Sequence, residues 1–481
     1  MTRYRDLMTV SLIGLSVGVL VAFDSYGTFF TGHQIGVRLL PFTFSLLAFM
    51  LGCFLVASVI LFVKYFPVFM QKKELLFIPM FLTGYQMNAI SIGVLDPGDV
   101  AIGLFMFVFI LGLLATGKST LVITPLLLMS LLLVGFMFIP IAYTILPVRT
   151  QFLYVKTFFI YVLIINSLRS RELFKKAIKW LISITAWFAA FGIFQELFYI
   201  VTRISLVGNI PQAELKRMYE PTSFGYMLRV PGLMMSYRSF ALILAVCLLI
   251  TICLMLFPKA EIFKKRGYLY LNACLFFIAL FFTFSKDIMV GLFLALCLMF
   301  ILWRPRLLLH LITVGLLAAA LILAIFAYLP GKVDNFNYVF KDIPKSEHER
   351  MQLDREGIER YINGPFKFFG RGAERGARYT GHALGWPAHN AFILIADEIG
   401  IFALLLYAGM FCYAFYRIIV LNIKIKDPVY RPIALSLLCG LIVHLVGAQF
   451  TANYVEPFLW LQYGFIEVLW LLDAKEQPAV A

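Results

Sequence analysis

Apolar runs long enough to cross a bilayer recur along almost the whole chain, and lysine and arginine gather in the short connections between them. A helix needs about 20 such residues to span the hydrocarbon. Candidate spans begin near Leu7, Leu39, Leu75, Val100, Leu121, Phe152, Trp180, Phe240, Tyr268, Ile288, Leu307, Ala391, Ile433 and Leu459. Composition agrees, since 62% hydrophobic and 14% charged residues with a mean hydropathy of +0.90 lie far from the values of soluble domains. The expected fold is therefore all-α, a polytopic transmembrane bundle of about 12 to 14 spans.

The connections set an orientation. Arg3 and Arg5 precede the first span, Lys64, Lys72 and Lys73 follow the second, and "RSRELFKKAIK", "PKAEIFKKR", "RPR" and "RIIVLNIKIKDPVYR" continue the alternation. The positive-inside rule then puts both termini in the cytoplasm. The first span ends in "FDSYG" with no small-residue cleavage site, so it reads as a retained anchor. In this frame residues 1–200 are N-terminal transmembrane helices, 201–238 a first long external loop, and 239–329 further transmembrane helices. Residues 330–388 form a large external loop with short helices, and 389–481 the C-terminal transmembrane helices. All seven cysteines fall inside apolar spans, which gives no disulfide framework and no zinc spacing.

A net charge of +15 invites a nucleic-acid reading, but the cytoplasmic connections explain most of it. The remainder lies outside. The first long loop carries Arg203, Lys216, Arg217, Arg229 and Arg238; in the second, "RYINGPFKFFGRGAERGAR" sets Arg360, Lys367, Arg371, Arg375 and Arg378 against Glu374 alone. These are either solvated charges or a site for an anionic ligand. Ile358, Tyr361 and Ile362 recur at helical spacing just before a Phe-rich stretch, a pattern that suits a helix in the headgroup layer with its basic residues at phosphate depth.

"GLLATGKS", Gly112–Ser119, satisfies the P-loop pattern, yet it lies at the end of a transmembrane run with no soluble nucleotide-binding domain around it, and reads as a tight turn. His389 and Asn390 stand where the second long loop re-enters the bilayer. A histidine there can exchange a proton near neutral pH, or it can simply start a helix. Asp397 and Glu398 lie deeper, where a charge needs a partner or water; Asp397 reads as a partner for a buried arginine.

The stretch "ERMQLDREGIERYINGPFKFFGRG…AHNAFILIADEIGIF" resembles the signature of the O-antigen ligase and O-antigen polymerase superfamily. Arg350, Pro365, Gly370, Gly372, His389, Asn390, Glu398 and Gly400 fall on its positions. "RVPGLMMSYRSFALIL" resembles a second element through Arg229 and Gly232, and "TFSKDIMVGL" a third, with Lys286 standing where Arg is more common. The resemblance implies a GT-C type membrane glycosyltransferase that uses a glycan on polyprenyl pyrophosphate at the outer face of the bacterial cytoplasmic membrane. Its acceptor would be a lipid A core (ligase) or another lipid-linked repeat unit (polymerase), and other polysaccharide-assembly proteins are conceivable partners.

Breaking the sugar C1–phosphate bond leaves negative charge on the departing pyrophosphate. No Asp-x-Asp cluster for a divalent metal stands outside the membrane, and guanidinium groups match phosphate oxygens. The reading assigns Arg229, Arg350 and His389 to catalysis, the histidine as base toward the acceptor hydroxyl with inversion at C1. Arg238, Lys286, Asn390 and Arg371 are assigned to substrate binding, and Glu398, Gly370, Gly372 and Gly400 to structure. No cofactor or metal is invoked and no nucleic acid is expected. A flippase of the same lipid-linked oligosaccharide is the rival; transporters usually show related halves and charges at the midplane, and no repeat is visible here. A non-catalytic scaffold would leave the external arginines and His389 without a joint purpose.

Overall fold

The computed structural model describes residues 122–142, 148–202, 219–222, 225–232, 234, 236–257, 260, 262–303, 350–364, 367–372, 388–450 and 456–474. All of them belong to one compact unit, Phe77–Leu206 with Gln212–Ala481. Spans expected near Leu7, Leu39, Leu75, Val100 and Leu307, the "GLLATGKS" turn, both termini, and Arg203, Lys216, Arg217, Arg375 and Arg378 lie outside the described residues.

The helices are α1 (Pro125–Phe138, extended by a 3-10 turn, Ile139–Ala142), α2 (Val148–Ser167), α3 (Arg171–Thr202), α4 (Tyr237–Leu256), α5 (Gly267–Phe282) and α6 (Lys286–Trp303). They continue with α7 (residues 350–363), α8 (Ala391–Glu398), α9 (Ile401–Lys424), α10 (Tyr430–Ala448) and α11 (Pro457–Ala474). Among the described residues α3, α4, α6, α9 and α10 are long and apolar enough to cross a membrane. The protein is a multi-pass helical membrane protein, as its apolar runs require.

Each start has a local cause. Thr124 Oγ1 accepts the Leu127 N–H at 3.1 Å with Pro125 in the first turn of α1, and Ser236 caps α4 through the Ser239 N–H. A polar cap satisfies one orphan N–H, and Pro at the first position lacks the donor that would be orphaned. Helices α4, α10 and α11 are buried over most of their length and form the middle of the bundle. Small residues let backbones approach there: a Cβ added at Gly291 of α6 would meet Val443 Cα of α10 at 3.2 Å, and one at Gly464 of α11 would meet Ile164 Cγ2 of α2 at 2.7 Å.

Three features differ from the sequence reading. The basic stretch taken as a connection before Trp180 is the first part of α3, whose Arg171 pairs with Asp427 at 3.2 Å and lies 4.8 Å from the Tyr430 ring centroid. Long basic side chains continue a helix beyond its apolar part because their stems pack while their heads stay polar. The run beginning at Ala391 is two helices, since Gly400 at φ 97° ends α8 and starts α9. The first long loop holds a hairpin, β1 (Tyr219–Thr222) against β2 (Gly225–Leu228), antiparallel with Tyr219 opposite Leu228.

Candidate functional site

Arg229 and Arg238, from one stretch of the chain, and Arg350, from a distant one, lie close enough for the first two to act on the charge of the third. Arg229 follows β2. The next residue, Val230, donates its N–H to Phe282 O at 3.0 Å, and the chain then turns at Gly232, whose φ of 62° and closeness to the Phe240 ring leave no room for a Cβ. The Arg229 guanidinium lies 5.1 Å from the Tyr237 ring centroid and donates to its hydroxyl at 2.9 Å. Arg238, on the first turn of α4, reaches Asp287 on the first turn of α6 at 3.5 Å. Burial pulls the ionisation of Arg350 below the usual guanidinium range, the Arg238 charge adds to this, Asp287 and Tyr237 oppose it, and Arg229 adds again. Charges influence one another to this degree only at short range in a partly screened site. Lys286 stands exposed at the start of α6, beside Asp287.

Helix α7 ties this cluster to His389. Arg350, Asp354, Gly357, Arg360 and Gly364 follow one face at spacings of three and four. Arg350 sits among the arginines, and one turn later Asp354 Oδ1 accepts the backbone N–H of His389 at 2.8 Å. Asn390 contributes a second N–H to Asp354, whose ionisation is raised by burial and lowered by these two bonds and by Arg350. A Cβ at Gly357 would lie 2.9 Å from Ile393 and 3.0 Å from Ala388, so α7 packs closely on the start of α8. Its outward side exposes Met351, Ile358 and Ile362, an apolar stripe suited to the headgroup layer.

The far end of α7 is held by Asp397. Arg360 Nε donates to Asp397 Oδ2 at 3.2 Å, Arg371 Nε lies 3.5 Å from Oδ1, and Arg371 also donates to the carbonyl of Arg360. Asp397 is thus the partner of two arginines. The glycines of the motif explain how 367–372 docks on the α8–α9 break. Arg371 N–H donates to Asp397 O at 3.1 Å, Gly372 N–H to Glu398 O at 2.8 Å, and Ile401 N–H to Lys367 O at 3.0 Å. A Cβ at Gly370 would sit 2.2 Å from Glu398 O, and one at Gly400 2.2 Å from Phe368 O. Gly400 also has φ 97°, ψ 176°, a region essentially closed to other residues. Gly400→Ala is expected to cost about 3 kcal/mol or more, combining the backbone penalty with overpacking; thermal unfolding of the purified variant in detergent reads the loss.

Not every nominated residue faces the arginine cluster. Arg371 is engaged by Asp397 and Arg360. The Asn390 amide caps α8 through the Phe392 and Ile393 N–H groups and donates to Gln449 Oε1 at 2.9 Å. Both positions favour a structural contribution. Glu398 is buried at the α8–α9 break. Asp287, Tyr237, Asp354 and Gln449 went unnoticed in the sequence; the Arg350/Asp354 spacing of one turn was the available signal for Asp354. Among the described residues no group of three or more His, Cys, Asp or Glu gathers as a metal site.

No curated protein matches the chain. A family model described as O-antigen ligase matches residues 271–408, and this segment, which holds Lys286, Arg350, His389, Asn390 and the Gly400 turn, is similar to that family.

Proposed function

We propose that this protein is an integral-membrane glycosyltransferase that moves a glycan from polyprenyl pyrophosphate to an acceptor hydroxyl in cell-surface polysaccharide assembly. The family match supports the coarse role, glycan transfer. The observation that carries the finer reading is the meeting of Arg229, Arg238 and Arg350 beside a His389 backbone fixed by Asp354. The site works at the periplasmic face of the bacterial inner membrane, with both termini in the cytoplasm.

In this reaction the C1–oxygen bond to phosphate breaks and its electron pair stays on the pyrophosphate. The arginines stabilise that charge, which fixed donors do best when they need not reorganise. The acceptor oxygen bonds to C1 from the opposite face, inverting it, and its proton passes to the His389 imidazole. The acceptor is a lipid A core for a ligase or a lipid-linked repeat unit for a polymerase. Lys286, exposed at the start of α6, would join the arginines in binding the donor.

The test is incubation of the detergent-purified protein, alone, with a lipid-linked oligosaccharide and each acceptor in turn. Release of polyprenyl pyrophosphate together with a lengthened acceptor supports the proposal. Donor movement across proteoliposomes without such release would identify a transporter instead.

A further inference from the structure

An acid stands among the cations assigned to the diphosphate. Asp287 is the second residue of α6, and its side chain is only 8% exposed. Its Oδ2 lies 3.5 Å from Nε of Arg238, on the first turn of α4, yet accepts no hydrogen bond among the described residues. The contact is one of charge, without the paired N–H bonds that lock a guanidinium to a carboxylate. The influence of Asp287 extends to the other stretch of the chain, since it favours the charged form of Arg350 where Arg238 and Arg229 oppose it. Asp287 and Arg238 both line a polar cavity of about 50 Å³, room for a few waters. An acid in a first turn steadies its own helix through the macrodipole. That role asks for neither the reach to Arg238 nor an oxygen left without a hydrogen bond.

We propose that Asp287 is a positioning residue of the anion site: it is the counter-ion that holds Arg238 and offsets the clustered positive charge before the donor binds, and it moderates the grip on the diphosphate so that the pyrophosphate product can leave. This rests on the diphosphate reading of the cluster. Arg229, Arg238 and Arg350 repel one another, and a fixed negative charge felt by both stretches lowers the cost of keeping them together. Phosphate oxygens match the guanidinium fork and carry more charge than one carboxylate, so they displace Asp287 from Arg238. The carboxylate then stays near the bound anion and repels it, which shortens its stay. A plain first-turn acid would leave the strength of anion binding unchanged.

The experiment measures binding of inorganic pyrophosphate to the purified full-length protein and to three variants at one pH and salt concentration. Asp287→Asn and Asp287→Ser remove the charge and suit a helix start in different ways, so a fault in folding of one does not silence the other. Both are expected to bind pyrophosphate roughly tenfold more tightly than the wild type, the scale of one unit charge acting over several ångströms. Asp287→Glu keeps the charge and is expected to bind close to the wild-type strength. Thermal unfolding of the same samples reads the helix-end contribution separately. Unchanged or weaker binding by the two neutral variants, or tighter binding by Asp287→Glu as well, overturns the role of Asp287 and leaves the diphosphate reading standing. Absence of pyrophosphate binding to the wild type, or binding that survives Arg350→Ala, overturns the diphosphate reading and the inference with it.

Discussion

Arg350→Ala is expected to lower turnover by about 10² to 10³, the usual loss when one preorganised charge-stabilising donor is removed. The same is expected of Arg229→Ala. Arg350 acts from a partly desolvated position in which Arg238 and Arg229 already depress its ionisation. Such like-charge crowding is costly in the free protein and is relieved when an anion arrives. In the proposed mechanism the guanidinium groups meet pyrophosphate in the donor and again as charge builds on it, so both KM and kcat should worsen. Arg350→Lys should recover only part of the activity, because a point charge replaces a planar fork. Steady-state transfer assays on purified variants with unchanged thermal stability check this, and near-normal transfer by both alanine variants would remove the clamp from the mechanism.

His389→Gln should lower kcat by about 10² to 10⁴, the range ascribed to a positioned general base, with donor affinity close to wild type. In the proposed mechanism its contribution arises only as the acceptor proton leaves, whereas the arginines hold the donor throughout. The backbone of His389 is fixed by Asp354 on α7, one turn from Arg350, so the proposed base and the proposed clamp share one helix. Asp354→Leu removes the acceptor for two N–H groups and should mimic part of the His389 loss without touching the imidazole. A large KM change with intact kcat in His389→Gln would assign the histidine to binding instead.

Much of this was legible from the residues. Apolar length announces a transmembrane helix because the bilayer requires it, and the ordered Arg, Gly, His-Asn and Glu-x-Gly elements marked the segment that proved to match the family model. The partner of Asp397 could be anticipated because a buried carboxylate needs one, although that it has two, Arg360 and Arg371, could not. Other features depend on contacts between distant segments, which periodicity does not encode. The break at Gly400 lies inside a run that reads as a single span, and it exists because the 367–372 loop occupies the space a side chain would need. Arg371 looked like one more external cation until Asp397 was seen to hold it.

The central claim is that arginines distant in sequence hold one diphosphate. A cryo-electron microscopy map of the protein with polyprenyl pyrophosphate bound tests it most directly. Diphosphate density within hydrogen-bonding reach of both Arg229 and Arg350, with the His389 ring facing the space beside it, is the predicted result. A head group seated away from these arginines, or one that leaves His389 on the opposite side of the membrane from the phosphates, would contradict it.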